Sequence, residues 1–519
     1  MCSNLICDNG QSGNQSFAAR HNCGFQGIGK ADLATTIAAQ ESVTASKQSR
    51  LILVSNRLPV TVSVKDGVLA LTPSGGGLAT GLRGARARMG GVWIGWPGEI
   101  PQNSYRAEID HELQKLDARP VYLSRSEQRG FYEDFSNAAI WPVFHDLIEQ
   151  LPQDIVGWET YRQVNQRFAD AVAASYREGD VVWVNDYHLM LAPAMIRKLL
   201  PKAAIGFFLH IPFPPAEVFR VLAPRVELLE GLLGADLIGF HTQPFLENFV
   251  QAVQHLLGVK LTSSGVRLGR RNVRVGAFPM GIDFTTWENR ARSTVVQKQV
   301  LSLLQDTGKR KMVLGIDRMD YTKGLPRRIH AIERLLQADP SIAERVRFVQ
   351  VAFPSRERIE SYAGLRRQLN EAVGRINSTF GSPRSLPVHL LQRAFTEDEV
   401  SALYAAADIM LVTPLRDGMN LVAKEYVASR LHGQGVLVLS EFAGAADELR
   451  HDGPLIVNPY DTEAMMAAIR QAIEMPEKEQ TERMGRLREK VRTADVHFWT
   501  DSFLAALAGE SALADVSNL

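Results

Sequence analysis

The chain reads as an α/β protein whose parallel sheets are covered on both faces and shared between two domains. Two observations predict this. Short β-branched apolar runs recur at Leu51–Val54, Val181–Val184, Ile205–Leu209, Leu237–Phe240, Met312–Ile316, Val346–Ala352, Ile409–Val412 and Val436–Leu439, separated by amphipathic stretches of helix length. Runs that are apolar throughout belong to strands buried on both faces. The second observation is length: 519 residues hold two full cores more readily than one sheet of that many strands.

Taken in order, residues 1–48 are rich in Ser, Gln, Asn, Ala and Gly and read as a mobile extension. Residues 49–287 form the expected first domain. The boundary follows FPMGIDF (278–284), where Pro and Gly precede a polar stretch. Residues 288–490 form the second domain, and residues 491–519 a terminal helix and tail. No fused module is expected after residue 510, and no internal repeat is visible.

Composition excludes several classes of function. The 58 basic residues stand against 57 acidic ones, which gives no support for bulk binding to nucleic acid or to an anionic membrane. No apolar run approaches the length of a membrane span, and the N-terminus lacks the charged-then-apolar pattern of a signal peptide. Cys2, Cys7 and Cys23 are the three cysteines, so the expected folded body has neither disulfides nor thiol chemistry. Their spacing matches no metal site. A cytoplasmic location is expected.

Residues 411–426, LVTPLRDGMNLVAKEY, carry the most chemistry. A buried strand ends at Thr413-Pro414, a loop presents Arg416, Asp417 and Gly418, and a helix begins. A helix start aims free N–H groups and a positive dipole end at an anion. Asp417 can accept hydrogen bonds from sugar hydroxyls, and Glu425 can reach a ribose diol. Surface ion pairs around an ordinary loop would explain the same residues, were it not for a second stretch. GIDRMDYTKG (315–324) follows another apolar run and sets Arg318 and Lys323 on one loop, a pairing that suits a diphosphate. Both segments lie at strand ends, where open α/β sheets bind ligands.

In the first half, SNR (55–57) follows the first strand and three glycines follow at 75–77. No GxxxxGK[ST] is present, which argues against a nucleoside triphosphatase loop. Asp186 and His188 follow the strand at Val181–Val184, and His210 ends the strand at Ile205–Leu209. Their spacing does not support a metal site, and His241 reads as another strand-end residue. Taken alone, each of Trp96, Tyr132 and Trp141 is better explained by core packing.

From Arg50 to the low 500s the chain resembles the trehalose-6-phosphate synthase family of retaining glycosyltransferases. The resemblance is carried by SNRLPV, SGGGLATGL, GWPG, FSNAAIWPVFH, VNDYHLML, FFLHIPFPP, IGFHT and RDGMNLVAKEY. It implies the GT-B fold, two Rossmann-like domains facing across a catalytic cleft, with the last helix packed back on the first domain. It also implies transfer of glucose from UDP-glucose to glucose 6-phosphate with retention, without cofactor or metal. On the donor side it places Gly76, Gly77, Arg318, Lys323, Phe395, Asp417, Gly418, Met419, Asn420, Leu421, Val422 and Glu425. On the acceptor side it places Arg57, Trp96, Tyr132, Trp141, Asp186 and Arg356. Asp186, His210, Arg318, Lys323 and Asp417 are the catalytic set, acting by charge and position rather than as a nucleophile. A homo-oligomer is compatible with this reading. Glycerol 3-phosphate as acceptor, a silent sugar-phosphate sensor and a pyridoxal-phosphate phosphorylase are the alternatives.

Overall fold

A computed structural model describes residues 49–65, 68–73, 81–82, 84, 86, 88–99, 105–308, 310–354, 360–383, 385–511 and 513–516. The extension at 1–48, with its three cysteines, lies outside them. Residues 49–519 form one compact unit.

Two sheets organise this unit. The first contains β1 (Leu51–Arg57), β4 (Gly91–Trp96), β5 (Ala118–Pro120), β6 (Val181–Asn185), β7 (Ala204–Phe208), β8 (Leu237–Phe240), β9 (Lys260–Thr262), β10 (Gly265–Leu268) and β11 (Arg271–Ala277). Its order is β5-β4-β1-β6-β7-β8-β11-β10-β9, and only β10 runs antiparallel to its neighbours. A separate hairpin joins β2 (Val60–Lys65) to β3 (Val68–Pro73). The second sheet contains β12 (Lys311–Arg318), β13 (Val346–Phe353), β14 (Val388–Leu391), β15 (Ile409–Val412), β16 (Val436–Ser440) and β17 (Leu455–Val457), all parallel, in the order β14-β13-β12-β15-β16-β17.

Both orders are doubly wound. In each sheet the first strand sits centrally, the next two add to one side, and the chain then crosses to add strands on the other. The reversal leaves a crevice at the carboxyl ends of β1 and β6, and another at the carboxyl ends of β12 and β15. Apolar clusters cover both faces of each sheet, which is why the strands are apolar on both sides.

The chain passes between the two halves twice. Ile282 and Phe284 already belong to the core of the second sheet. After the helix Glu477–Thr493, the helix Val496–Ala508 returns to the first sheet, where Trp499 and Phe503 pack on Trp183 with ring centroids 5.3 and 4.5 Å away. At the crossing the Val496 N–H donates to the Ile282 carbonyl at 3.0 Å. The two passages are thus pinned to each other.

Candidate active site

The ends of the strands that flank the two crevices, with neighbouring loops and helices, supply the polar residues of one cavity. From β1 come Ser55, Asn56 and Arg57. Trp93 Nε1 donates to Ser55 Oγ at 2.7 Å, and the Arg57 guanidinium lies 4.5 Å over the Trp96 ring. Trp96 is itself buried and is not a wall of the cavity; it is the platform beneath Arg57.

From the end of β6 come Asn185 and Asp186. Asp186 has φ +77°, a backbone conformation that costs a non-glycine residue roughly 1–3 kcal/mol. The strained turn aims its carboxylate across β7, where Oδ1 accepts from the His210 N–H at 3.2 Å. The ring of His210 meets Asn185 Oδ1 through Nε2 at 3.1 Å. Burial, and then the neighbouring His241, hold His210 well below the usual imidazole range. Burial likewise lowers His241 to about 3 and His145 to about 4. These three imidazoles are therefore held in the neutral form, able to hydrogen-bond without adding charge.

A wide helix of i→i+5 type, Arg129–Ile140, crosses the same side. It presents Tyr132, whose ring stacks on His188 at 5.6 Å and 8°. It leads directly into Trp141, whose ring lies 5.7 Å from that of Tyr187.

The second sheet supplies the opposite wall. β12 ends in Asp317 and Arg318, and a short turn at Tyr321–Lys323 follows. Asp317 is buried against Arg328, which binds it at 2.6 Å and also reaches Gln350, Thr413 and the Lys323 carbonyl. That network ties the loop after β12 to β13 and to the end of β15. Arg318, by contrast, makes no ion pair with any described residue and stands 5.4 Å over the Trp141 ring of the facing wall.

Lys323 pairs with Asp417 at 2.5 Å, and Asn420 Nδ2 donates to the same carboxylate oxygen at 2.9 Å. Burial pushes the Asp417 carboxyl up, but Lys323 first, then His145 and Asn420, outweigh it and leave Asp417 below the usual range. The helix Leu421–Ser429 starts beside this pair. On its second turn Glu425 accepts from the Tyr404 hydroxyl at 3.0 Å, and burial raises its carboxyl to about 7.

The cavity has a volume of about 590 Å³. Its walls bring together Arg57, Tyr132, Trp141, Asp186, His210, Arg318, Lys323, Asp417, Met419, Asn420, Leu421, Val422 and Glu425. Gly418 lies behind them, where any Cβ would collide with the His210 carbonyl of the facing wall. Phe395 is not part of the described lining; it packs edge-on to Phe353, with the Arg393 guanidinium 3.7 Å over its ring. Gly76, Gly77 and Arg356 lie outside the described residues.

Several members of this site carry no functional motif of their own in the sequence. His145 and Asn185 line the cavity, and Tyr404 caps Glu425. Behind the lining, Lys424 is fully buried, paired with Glu448 at 2.5 Å, and donates to the Met280 carbonyl at 2.9 Å in the crossing segment. A lysine inside an apolar helical stretch was the signal for it. Among the described residues no cluster of His, Cys, Asp and Glu could hold a metal ion, and no helix is long and apolar enough to cross a membrane.

Two doubly wound sheets sharing one cavity, with Arg318 unpaired among the described residues and a Lys–Asp pair beside a helix start, have the architecture of a GT-B glycosyltransferase. A family model described as glycosyltransferase family 20 matches residues 49–509. The chain belongs to that family. It is 41% identical over 473 residues to an "alpha,alpha-trehalose-phosphate synthase [UDP-forming] 1" of Aspergillus niger, covering 90% of this chain and 91% of that one. It is 43% identical over 481 residues to a bifunctional trehalose-6-phosphate synthase/phosphatase of Thermoproteus tenax, covering 90% of this chain but only 65% of that longer protein. Among solved structures, an alpha,alpha-trehalose-phosphate synthase (UDP-forming) from Burkholderia xenovorans in complex with glucose-6-phosphate matches with a TM-score of 0.79 and 35% identity, over 89% of this chain and 100% of that one. A structure described as trehalose-6-phosphate from E. coli bound with UDP-2-fluoro glucose matches with a TM-score of 0.79 and 33% identity, over 90% and 100%.

Proposed function

We propose that the protein transfers glucose from UDP-glucose to glucose 6-phosphate with retention of configuration, giving α,α-trehalose 6-phosphate and UDP. The observation that carries this reading is two separate cationic stations on opposite walls of one cavity. Arg57, braced on Trp96, suits the dianion of a sugar monophosphate. Arg318 and Lys323, beside a helix start, suit a nucleoside diphosphate. A single-substrate hydrolase needs only one of these stations. The UDP-forming relative and the two liganded neighbours agree with this pair of substrates.

The chemistry then follows from position. The anomeric hydroxyl oxygen of glucose 6-phosphate bonds to C1 of the donor glucose while the bond from C1 to the β-phosphate oxygen breaks. The proton passes to that leaving oxygen, and UDP departs. Attack comes from the face the diphosphate leaves, which preserves the α configuration. Arg318 and Lys323 stabilise the charge that develops on the diphosphate. Asp417, kept ionised by Lys323, accepts from hydroxyls of the transferred glucose. His210 and Asp186, joined by their 3.2 Å hydrogen bond, orient the reacting sugars. Glu425 holds the ribose diol. With all three cysteines among the first 23 residues, the folded body needs no oxidising compartment, and we place the reaction in the cytoplasm.

The test is UDP release from UDP-glucose with glucose 6-phosphate, glycerol 3-phosphate or no acceptor. Release that requires glucose 6-phosphate and yields a non-reducing disaccharide phosphate is expected. Release only with glycerol 3-phosphate would overturn the acceptor assignment.

A further inference from the structure

Arg416, immediately before Asp417, is not among the residues that line the cavity and is not used by the chemistry above. It belongs to the second half of the molecule, yet its partners belong to the first. Nε lies 3.1 Å from Asp146 Oδ2, and the guanidinium sits 5.5 Å over the Phe245 ring. Asp447, on Arg416's own side, feels the same charge but makes its ion pair with Arg450 at 3.8 Å. Asp146 directly follows His145, which lines the cavity, and Trp141 stands one helical turn earlier. The ion pair therefore joins the residue beside Asp417 to the residue beside His145.

Two residues further on, Gly418 rests against the His210 carbonyl. The loop 416–418 thus touches the facing half at both ends, with Asp417 between. The contact at Gly418 is steric and short-ranged. The contact at Arg416 is electrostatic, and neither Arg416 Nε nor Asp146 Oδ1 has a hydrogen-bond partner among the described residues. A charge pair without a fixed hydrogen bond tolerates sliding and still pulls two surfaces together.

We infer that Arg416 and Asp146 form an electrostatic latch between the two halves, and that the latch sets Asp417 in register with the acceptor wall for glucosyl transfer. Arg416 is a positioning residue in this scheme, and the inference rests on the transferase reading proposed above. Reaction requires donor and acceptor walls to meet and exclude water, so a loosened latch misplaces the donor sugar and lets water compete.

The test uses the full chain with Asp146→Asn, Arg416→Gln and the double variant. Asn tolerates the left-handed backbone of position 146, where φ is +58°. Each single variant is expected to lower kcat with glucose 6-phosphate by about 10-fold, with KM for both substrates changed by less than about 3-fold. Each should also release a larger share of UDP without disaccharide phosphate. The double variant should lose no more than the singles. Additive losses, or a fall in thermal stability with kcat and coupling intact, would overturn the latch.

If the parent itself released no UDP with any acceptor, the transferase reading would fall while the latch stayed testable. Backbone hydrogen exchange at 144–147 and 416–418 is expected to accelerate together in Asp146→Asn. Exchange unchanged at both segments would refute the latch by itself.

Discussion

Replacing Lys323 with Ala separates stability from chemistry at the donor wall. In the parent, Lys323 and Asp417 lie 2.5 Å apart with side chains 12% and 14% exposed. Removing one partner of a fully buried pair costs about 3–5 kcal/mol, whereas an exposed pair contributes about 0–1 kcal/mol. This burial places the cost at about 2–3 kcal/mol, with the 2.9 Å bond from Asn420 as the remaining support for the carboxylate. Asp417 should then titrate higher, since burial pushes its carboxyl up and Lys323 is the largest opposing influence. Loss of a charge-assisted contact to the diphosphate removes about 1.5–3 kcal/mol from the transition state, a rate loss of roughly 10- to 150-fold.

The decisive comparison adds Lys323→Ala/Asp417→Asn. Asparagine removes the stranded charge, so the double variant should regain most of the stability yet turn over no faster than Lys323→Ala. Urea unfolding midpoints and acceptor-dependent UDP release measure the two effects separately. A Lys323→Ala protein with the parent's midpoint and within about 3-fold of its kcat would refute both the pairing energy and the diphosphate role.

Glu425 predicts a pH dependence. Its folded carboxyl titrates at about 7, above the ordinary glutamate value, so the fold favours the protonated form. Its contribution to stability is full below the unfolded value and is lost as pH rises toward about 7; Glu425→Gln should abolish that slope in the unliganded protein. Ribose hydroxyls donating to the carboxylate reverse the preference. UDP should therefore bind about 10-fold more tightly at about pH 8 than at about pH 6, with proton release seen calorimetrically in buffers of different ionisation heat. Gly418→Ala should cut kcat by at least about 10-fold, because the added methyl must displace the His210 carbonyl and open the two walls. An unchanged rate would mean that this contact is not part of the reactive state. Trp96→Leu should raise KM for glucose 6-phosphate several-fold with little change in donor affinity, since it removes the platform under Arg57 and no wall of the cavity. Equal loss for both substrates would argue for general unfolding of that edge instead.

Eight strands are legible in the sequence because each is a predominantly apolar run bounded by polar or turn residues, a pattern set by burial on both faces. They became β1, β6, β7, β8, β12, β13, β15 and β16. β4 is not legible: in GVWIGW two glycines leave only three apolar residues between them, and Gly95 is needed because the backbone of β1 passes too close for a side chain. β5 and β17, three residues each, carry no pattern long enough to read. Motifs at strand ends marked Asp186, His210, Arg318, Lys323 and Asp417 as polar residues held by buried strands, and that much is local. Their meeting is not. Lys323 and Asp417 are 94 positions apart, and they pair only because β12 and β15 lie side by side where the strand order reverses. Gly418 read as a turn glycine suited to an anion, whereas the space its side chain would need is filled by His210 from the other half. In the sequence Arg416 is one more loop cation; in the fold Asp146, 270 positions earlier, lies against it. Side-chain chemistry and strand burial are properties of short segments and can be read from them. Which charges pair, and which carbonyl leaves room only for glycine, depends on contacts between distant segments that exist only once both sheets have formed and closed on each other.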